Sequence, residues 1–159
     1  MPTADGAVAL LGDAHLRESD GEVDAFIRFL DALPGDIRTL AILGDLFAVW
    51  IGSPDLLRRH HDAVLAALAR LRGRGCSLLY VEGNHDFFLG RLDRPDLFDR
   101  IATDSSDLPL AGRRAHLAHG DLVNRRDVGF DWFDAAVLSH QLGQHLAKEL
   151  KAFLPKKAA

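Results

Sequence analysis

"SLLYVEGNHDFFLG", residues 77–90, runs from a short apolar segment straight into an amide, an imidazole and a carboxylate at Asn84, His85 and Asp86. Gly and Asn are ordinary turn formers, so one such junction reads as a strand ending in a surface turn. The junction recurs, however. "AVALLGDAH" (7–15) ends in Asp13 and His15, "TLAILGD" (39–45) in Asp45, and "AHLAHGD" (115–121) in His119 and Asp121. The apolar runs are short, nearly continuous and rich in Leu, Val and Ile, the pattern of strands buried on both faces of a sheet.

Helical periodicity fills the gaps between them. Val23, Phe26, Ile27 and Leu30 predict a helix over 22–33. Leu57, Val64, Leu65, Leu68 and Leu71 predict another over 55–72, with Pro54 near its start and Gly73 near its end. Strand, helix, strand, helix, strand predicts an α/β fold with a mainly parallel sheet and covering helices. Residues 91–114 are polar and broken by Pro95, Pro109 and Gly112, which predicts a short helix near 95–100 and one or two strands within 101–110. Val137, Leu138, Leu142, Leu146, Leu150 and Phe153 predict a C-terminal helix over 131–153. No repeat or long linker divides the chain, so residues 1–159 read as a single domain.

Composition sets the outer bounds. A chain of 159 residues with 48% hydrophobic and 26% charged content is an ordinary soluble domain with room for a core. A net charge of -4 gives no basic footprint for nucleic acid. The single cysteine, Cys76, excludes an internal disulfide and reads as a small buried residue, which suits a reducing compartment. The start, "MPTADGAVALLGD", has neither a cationic segment nor an apolar stretch long enough for a leader or span, so a cytoplasmic location is expected. Lys148, Lys151, Lys156 and Lys157 fit either a solvated helix face or contact with an anionic membrane surface.

In a parallel sheet the strand ends lie on one edge, where such folds bind their ligands. Carboxylate, imidazole and amide oxygen suit Mn, Fe or Zn, and no thiolate is present to favour a structural zinc site. Asp13 and His15 are two apart, so an extended segment would aim both the same way. Asp45, alone on its strand end, suits a carboxylate bridging two ions. Two ions about 3.5 to 4 Å apart can bind a phosphate, activate water and stabilise in-line displacement. The rival phosphate site, a G-x-x-x-x-G-K-[ST] loop, is absent from the sequence.

Asp13-x-His15, Gly44-Asp45, Gly83-Asn84-His85-Asp86 and His119-Gly120-Asp121, in this order, resemble the calcineurin-like metallophosphoesterases over residues 8–121. The resemblance implies a sandwich of mixed β-sheets flanked by helices, binding two divalent ions, Mn2+ first among them, with Fe or Zn as alternatives. It assigns Asp13, His15 and Asp45 to one ion, and Asp45, Asn84 and His119 to the other. It makes His85 the proton donor to the leaving oxygen, with Asp86 fixing its orientation, and places Asn84 and Asp121 against substrate. "LGDLFAVWIG", "GNHDFFLG" and "HGDLVNRRDVGF" are further similar to a branch of the family acting on a nucleotide-diphosphate-lipid. That branch cleaves UDP-2,3-diacylglucosamine to UMP and lipid X in lipid A synthesis.

Two departures qualify the likeness. Members of that branch carry Arg where His85 stands, so this chain keeps the broader family's residue. The family's G-H-x-H, one imidazole for each ion, is absent, and His140 and His145 lie five apart and off a common helical face. The chain is therefore expected to be C-terminally incomplete, to bind metal weakly and to self-associate. The alternative function is a shortened remnant, weakly active or inactive, that binds metal or phosphate and acts through a partner.

Other conspicuous side chains read as structural. His60 and His61 suit a partly exposed helix face beside Arg58 and Arg59. His116, three residues before His119, should face away from the metals. Trp50 and Trp132 suit core positions, and Phe87 with Phe88 should seat the Asn-His-Asp turn on the core.

Overall fold

Parallel strands need long crossovers, and here α-helices supply the first two of three. In chain order the elements are β1 (Ala7–Leu11), α1 (Glu22–Ala32), β2 (Ile37–Leu43), β3 (Trp50–Ile51), α2 (Arg59–Gly73) and β4 (Ser77–Val81). There follow β5 (Asp86–Phe87), a 3-10 turn at Leu89–Arg91, β6 (Arg100–Ala102), β7 (Ser105–Leu110) and β8 (Arg113–Ala118). The computed structural model describes residues 6–18, 21–53, 59–92, 96–110 and 112–121. The helix expected over 131–153, with Trp132, His140, His145 and the lysines beyond, lies outside the described residues.

The main sheet has the order β1-β2-β4-β6, parallel throughout. Period-two alternation sorts its side chains. Leu40, Ile42, Leu78 and Tyr80 join Leu30 of α1 and Val64, Leu65 and Leu68 of α2 in the larger core. Ala41, Leu79 and Val81 face the other way, where Leu108 of β7 and Leu117 of β8 cover them. Burial on both faces, expected of all four runs, holds for β2 and β4. The outer strand β1 is only partly covered, and its Leu10 is 51% exposed.

The fourth run corrects the expected topology. "AHLAHGD" does not extend the parallel sheet; β8 pairs antiparallel with β7, and β6 takes the fourth place. The reason is connection length. Only Ala111 and Gly112 separate β7 from β8, with Gly112 at φ 72, and so short a link joins antiparallel neighbours alone.

α1 begins after Gly21, whose backbone is left-handed, with Glu22 and Asp24 in the first turn favoured by the helix dipole. Its C-terminal carbonyls find an external donor. Arg74 donates to Leu30 O at 3.0 Å and to Asp31 O at 3.1 Å, while Arg70 forks onto the Asp31 carboxylate. On the other side of α2, Arg72 meets Asp99 at 2.6 Å, and Asp99 also accepts from Leu78 N at 2.8 Å.

Three local expectations change. Residues 96–99 form a turn rather than a short helix, because the adjacent Leu97 and Phe98 are both buried, and a helix would swing them about 100° apart. His61 is buried, its ring 4.3 Å from that of Phe47, so this part of α2 faces the core. Phe88 is 61% exposed: its left-handed backbone, φ 58, turns the ring outward beneath the Arg91 guanidinium, and Leu89 enters the core instead. Trp50 and Cys76 are buried as expected.

Candidate metal centre

The segments after β1 and β2 do not run on as strands. Asp13, His15 and Asp45 all have left-handed backbones, at φ 54, 46 and 54, and Gly44 lies at φ 78. Such conformations cost non-glycine residues about 1 to 3 kcal/mol each and survive only where the surroundings over-determine them. Here the two segments lock each other. Asp13 N donates to Gly44 O at 3.2 Å, His15 N to Asp45 O at 2.9 Å, and Leu16 N to Leu46 O at 3.0 Å. Asp13 and His15 are thus brought together by curled backbone, not by the extended alternation that their spacing suggests.

Two glycines permit the close approach. A Cβ on Gly44 would stand 2.7 Å from His119 Nδ1, and one on Gly83 would run into Asp45 Oδ1. Within that space the Asp45 carboxylate is buried and divided in its duties. Its Oδ1 accepts from His85 N at 2.9 Å, while Oδ2 stands 3.5 Å from His15 Nε2 and 3.6 Å from His119 Nε2. His15 Nε2 is also 3.7 Å from Asp13 Oδ1.

Backbone carbonyls set the imidazoles. His119 Nδ1 lies 2.7 Å from Leu43 O, and His85 Nδ1 2.7 Å from Ala48 O. A carbonyl only accepts, so each Nδ1 carries the hydrogen and each Nε2 is left with its lone pair. In His119 that Nε2 is 3.1 Å from Asn84 Oδ1, another acceptor. With the amide oxygen facing it, a proton or a cation on Nε2 would satisfy that contact. The proton affinity of His119 agrees. Burial opposes its charge, but the Leu43 carbonyl and the carboxylates of Asp45, Asp13 and Asp121 outweigh this and raise its pKa.

Donor atoms on a common ion with bonds of about 2.1 Å stand roughly 3 to 3.5 Å apart in tetrahedral or octahedral geometry. The His15–Asp45 and His119–Asp45 separations are close to that range and too long for hydrogen bonds. His15, Asp45 and His85 form one group of potential donors within 4.8 Å of one another, and Asp13, Asp45 and His119 form a second. Asp45 belongs to both. The residues present therefore fit divalent cations, with Asp45 at the centre.

Asp86 has a different place from the one expected. It does not orient His85, which Ala48 holds. Its buried Oδ2 instead accepts from Asp45 N, Gly83 N and the Tyr80 hydroxyl, each at 2.9 Å. Burial pushes its carboxyl up to about 6, against the pull of the backbone donors. Burial and the adjacent Asp86 charge also hold the Tyr80 phenol well above its usual range, so it stays a donor. A tyrosine inside a buried strand calls for a hydroxyl partner, and that signal was present in the sequence. The Leu43 and Ala48 carbonyls left none. His116 is exposed and paired with Asp107 at 2.9 Å, away from the centre. Asp121 follows Gly120 in the turn after β8, near enough for its charge to act on His119.

Comparison with known proteins finds relatives over most of the chain. The chain is 37% identical over 121 residues to a UDP-2,3-diacylglucosamine hydrolase of Aeromonas salmonicida (strain A449), covering 76% of this chain and 47% of that protein. It is 33% identical over 154 residues to a UDP-2,3-diacylglucosamine hydrolase of Escherichia coli O6:H1, covering 96% of this chain and 63% of that protein. A solved structure of a protein of unknown function, AQ665 from Aquifex aeolicus, overlaps 84% of this chain and 73% of its own at 17% identity and a TM-score of 0.49. The chain thus spans 47% and 63% of the lengths of these two curated relatives. The sequence pattern of the calcineurin-like phosphoesterases matches residues 6–154, and the chain belongs to that family.

Proposed function

We propose that this protein hydrolyses a phosphoester or pyrophosphate bond at a centre of two divalent cations, and that UDP-2,3-diacylglucosamine, cleaved to UMP and lipid X, is its substrate. One observation carries the reading: a single buried carboxylate, Asp45, is common to both groups of potential donors. The substrate follows the names of the two relatives. We assign Asp13, His15 and Asp45 to one ion, and Asp45, Asn84 and His119 to the other. Oxygen and imidazole donors without thiolate favour Mn2+, with Fe or Zn as alternatives. Bound there, such a pair polarises a phosphoryl group, activates water and neutralises charge that develops during in-line displacement.

The chain's own groups do the rest. Asp45 is kept in place by the His85 N–H, and His119 by Leu43, so neither has to reorganise when charge develops. His85 is assigned to deliver the proton to the leaving oxygen. Its Nδ1–H stays with Ala48, so once Nε2 has taken up a proton the doubly protonated ring gives it up from Nε2. Asn84 and Asp121 are assigned to substrate contact. This reading puts the protein in the cytoplasm, with Lys148, Lys151, Lys156 and Lys157 against anionic headgroups of the inner membrane face. Among the described residues no helix is long and apolar enough to cross a membrane. Leu10, exposed on the outer strand, supports self-association.

A second reading is a metal-binding chain of little or no activity that works through a partner. The two readings separate on turnover. Manganese-dependent hydrolysis of bis(4-nitrophenyl) phosphate, and UMP release from UDP-2,3-diacylglucosamine, support the first. Stoichiometric Mn2+ uptake with neither activity supports the second, and no uptake at all removes both. Within the first reading, His85→Ala should lower kcat on the order of 10²- to 10⁴-fold, with a smaller loss for good leaving groups. Equal losses for good and poor leaving groups would take His85 out of that role.

A further inference from the structure

The turn at Asp45–Leu46 and the turn at Gly83–His85 come from different strands, and one oxygen joins them. Asp86 Oδ2 receives the Asp45 N–H, the Gly83 N–H and the Tyr80 O–H, each at 2.9 Å. The same Tyr80 hydroxyl accepts from Leu46 N at 3.3 Å, so it touches both sides of the junction. The ring cannot swing away. It is 1% exposed and held edge-on between Trp50 and Phe98, with centroids 5.4 and 5.5 Å distant.

Packing alone does not ask for this hydroxyl, because phenylalanine fills nearly the same volume without a buried polar atom to satisfy. What the hydroxyl adds is a third donor to Asp86 and an acceptor for Leu46 N. Leu46 directly follows Asp45 and Asp86 accepts from Asp45 N, so both contacts bear on the side chain common to the two donor groups. Groups that hold a metal ligand's neighbours in this way typically change metal affinity or activity about 10- to 100-fold when removed.

We infer that Tyr80 is a positioning residue for the metal centre: its hydroxyl clamps Asp86 across the turns at Asp45 and Gly83 and thereby fixes the donor atoms of Asp45 and Asn84. The inference rests on the two-cation reading above. Loss of the hydroxyl frees both turns together, so the two ions should weaken in concert rather than one at a time.

The test compares Tyr80→Phe with the full chain and with Val64→Ala, a buried substitution in α2 outside both donor groups. Mn2+ affinity and stoichiometry are measured by titration, and the visible absorption of the Co2+-loaded protein reports donor geometry. Tyr80→Phe should weaken both ions about tenfold and shift the Co2+ bands, whereas Val64→Ala should lower Tm and move neither. A Tyr80→Phe protein that loses Tm alone, with Mn2+ affinity within twofold of the parent and an unchanged Co2+ spectrum, overturns the inference. Failure of the parent chain itself to take up Mn2+ would overturn the centre, and the inference with it. If Tyr80→Phe does not fold, Asp86→Asn interrogates the other end of the clamp. A joint loss of both ions supports the inference, and unchanged affinity defeats it.

Discussion

On one side of the parallel sheet, Leu40, Ile42, Leu78 and Tyr80 meet two helices in a deep apolar cluster. On the other, Ala41, Leu79 and Val81 meet Leu108 and Leu117 of a two-stranded hairpin. The candidate metal centre lies where these unequal halves come together. Asp13, His15, Asp45 and Asn84 are carried by turns after strands of the sheet, stitched to one another by backbone hydrogen bonds and the Asp86 carboxylate. His119 follows the hairpin strand β8, and its ring reaches the rest through Nδ1 at Leu43 O and Nε2 facing Asn84 and Asp45. One set of donors is built into the fold, whereas the other is brought to it. The difference predicts that damage to the two halves will have different signatures.

Asp45→Asn offers the hardest test, because Asp45 serves both halves. The variant keeps the shape but loses the charge, so both ions should weaken by at least about 100-fold together. Metal analysis after dialysis checks this, and retention of one ion at full affinity would break the bridging assignment. Next come two core truncations. Leu68→Ala, on the helix side, should cost about 2 to 5 kcal/mol by denaturant unfolding and leave metal affinity of the folded protein unchanged. Leu117→Ala, beneath the hairpin, should fall at the low end of that range and yet selectively weaken the ion assigned to His119. Equal metal affinities in the two variants would show that the hairpin is held more firmly than its small core suggests.

Acidification sharpens the same contrast. Proton and cation compete for His119 Nε2, and the raised proton affinity of His119 moves that competition to higher pH than for an ordinary histidine. The ion at His119 should therefore be released first as pH falls, losing about tenfold in affinity per pH unit below the histidine's pKa. A Mn2+ titration at pH 8, 7 and 6 that shows both sites weakening in parallel would count against a distinct hairpin ligand.

Much of this arrangement was legible in the sequence, for reasons that also mark the limit. β2 and β4 are central, so their apolar runs and terminal Asp45 and Asn84 were plain from pattern alone. The sequence marks β8 as a strand but not the sheet that holds it, because a buried run does not name its neighbour; the two-residue link through Gly112 does. Asp13 and His15 were picked by type, yet the extended geometry inferred from their spacing was wrong. Left-handed backbone at non-glycine residues is imposed by the opposing Asp45 segment, a tertiary effect. Asp86 shows the same limit. The family resemblance makes it the partner of His85, but its Oδ2 accepts from Asp45 N, Gly83 N and the Tyr80 hydroxyl instead.

The smallest expected effect separates the two halves at their surface. Asp99 ties Arg72 of α2 to Leu78 N of β4, at 2.6 and 2.8 Å, with both charged side chains about one-third exposed. Burial alone would raise its carboxyl pKa, but the Arg72 hydrogen bond, the Leu78 N–H and the Arg72 charge outweigh that and hold it below 3.8. A depressed folded-state value stabilises above the unfolded value near 3.8, and that contribution is lost as pH falls through the lower folded value. Asp99→Asn should therefore destabilise at pH 7 by no more than about 1 kcal/mol, since partial exposure screens the pair, and by less near pH 3. Asp107 on β7 has a similar partner, His116 of β8 at 2.9 Å, but the pair stands in solvent and joins strands already linked by a short turn. Asp107→Asn should leave the unfolding midpoint unchanged. Midpoints for both variants at pH 7 and pH 3 decide the matter, and a larger loss for Asp107→Asn would reverse the ranking of the two halves at their surface.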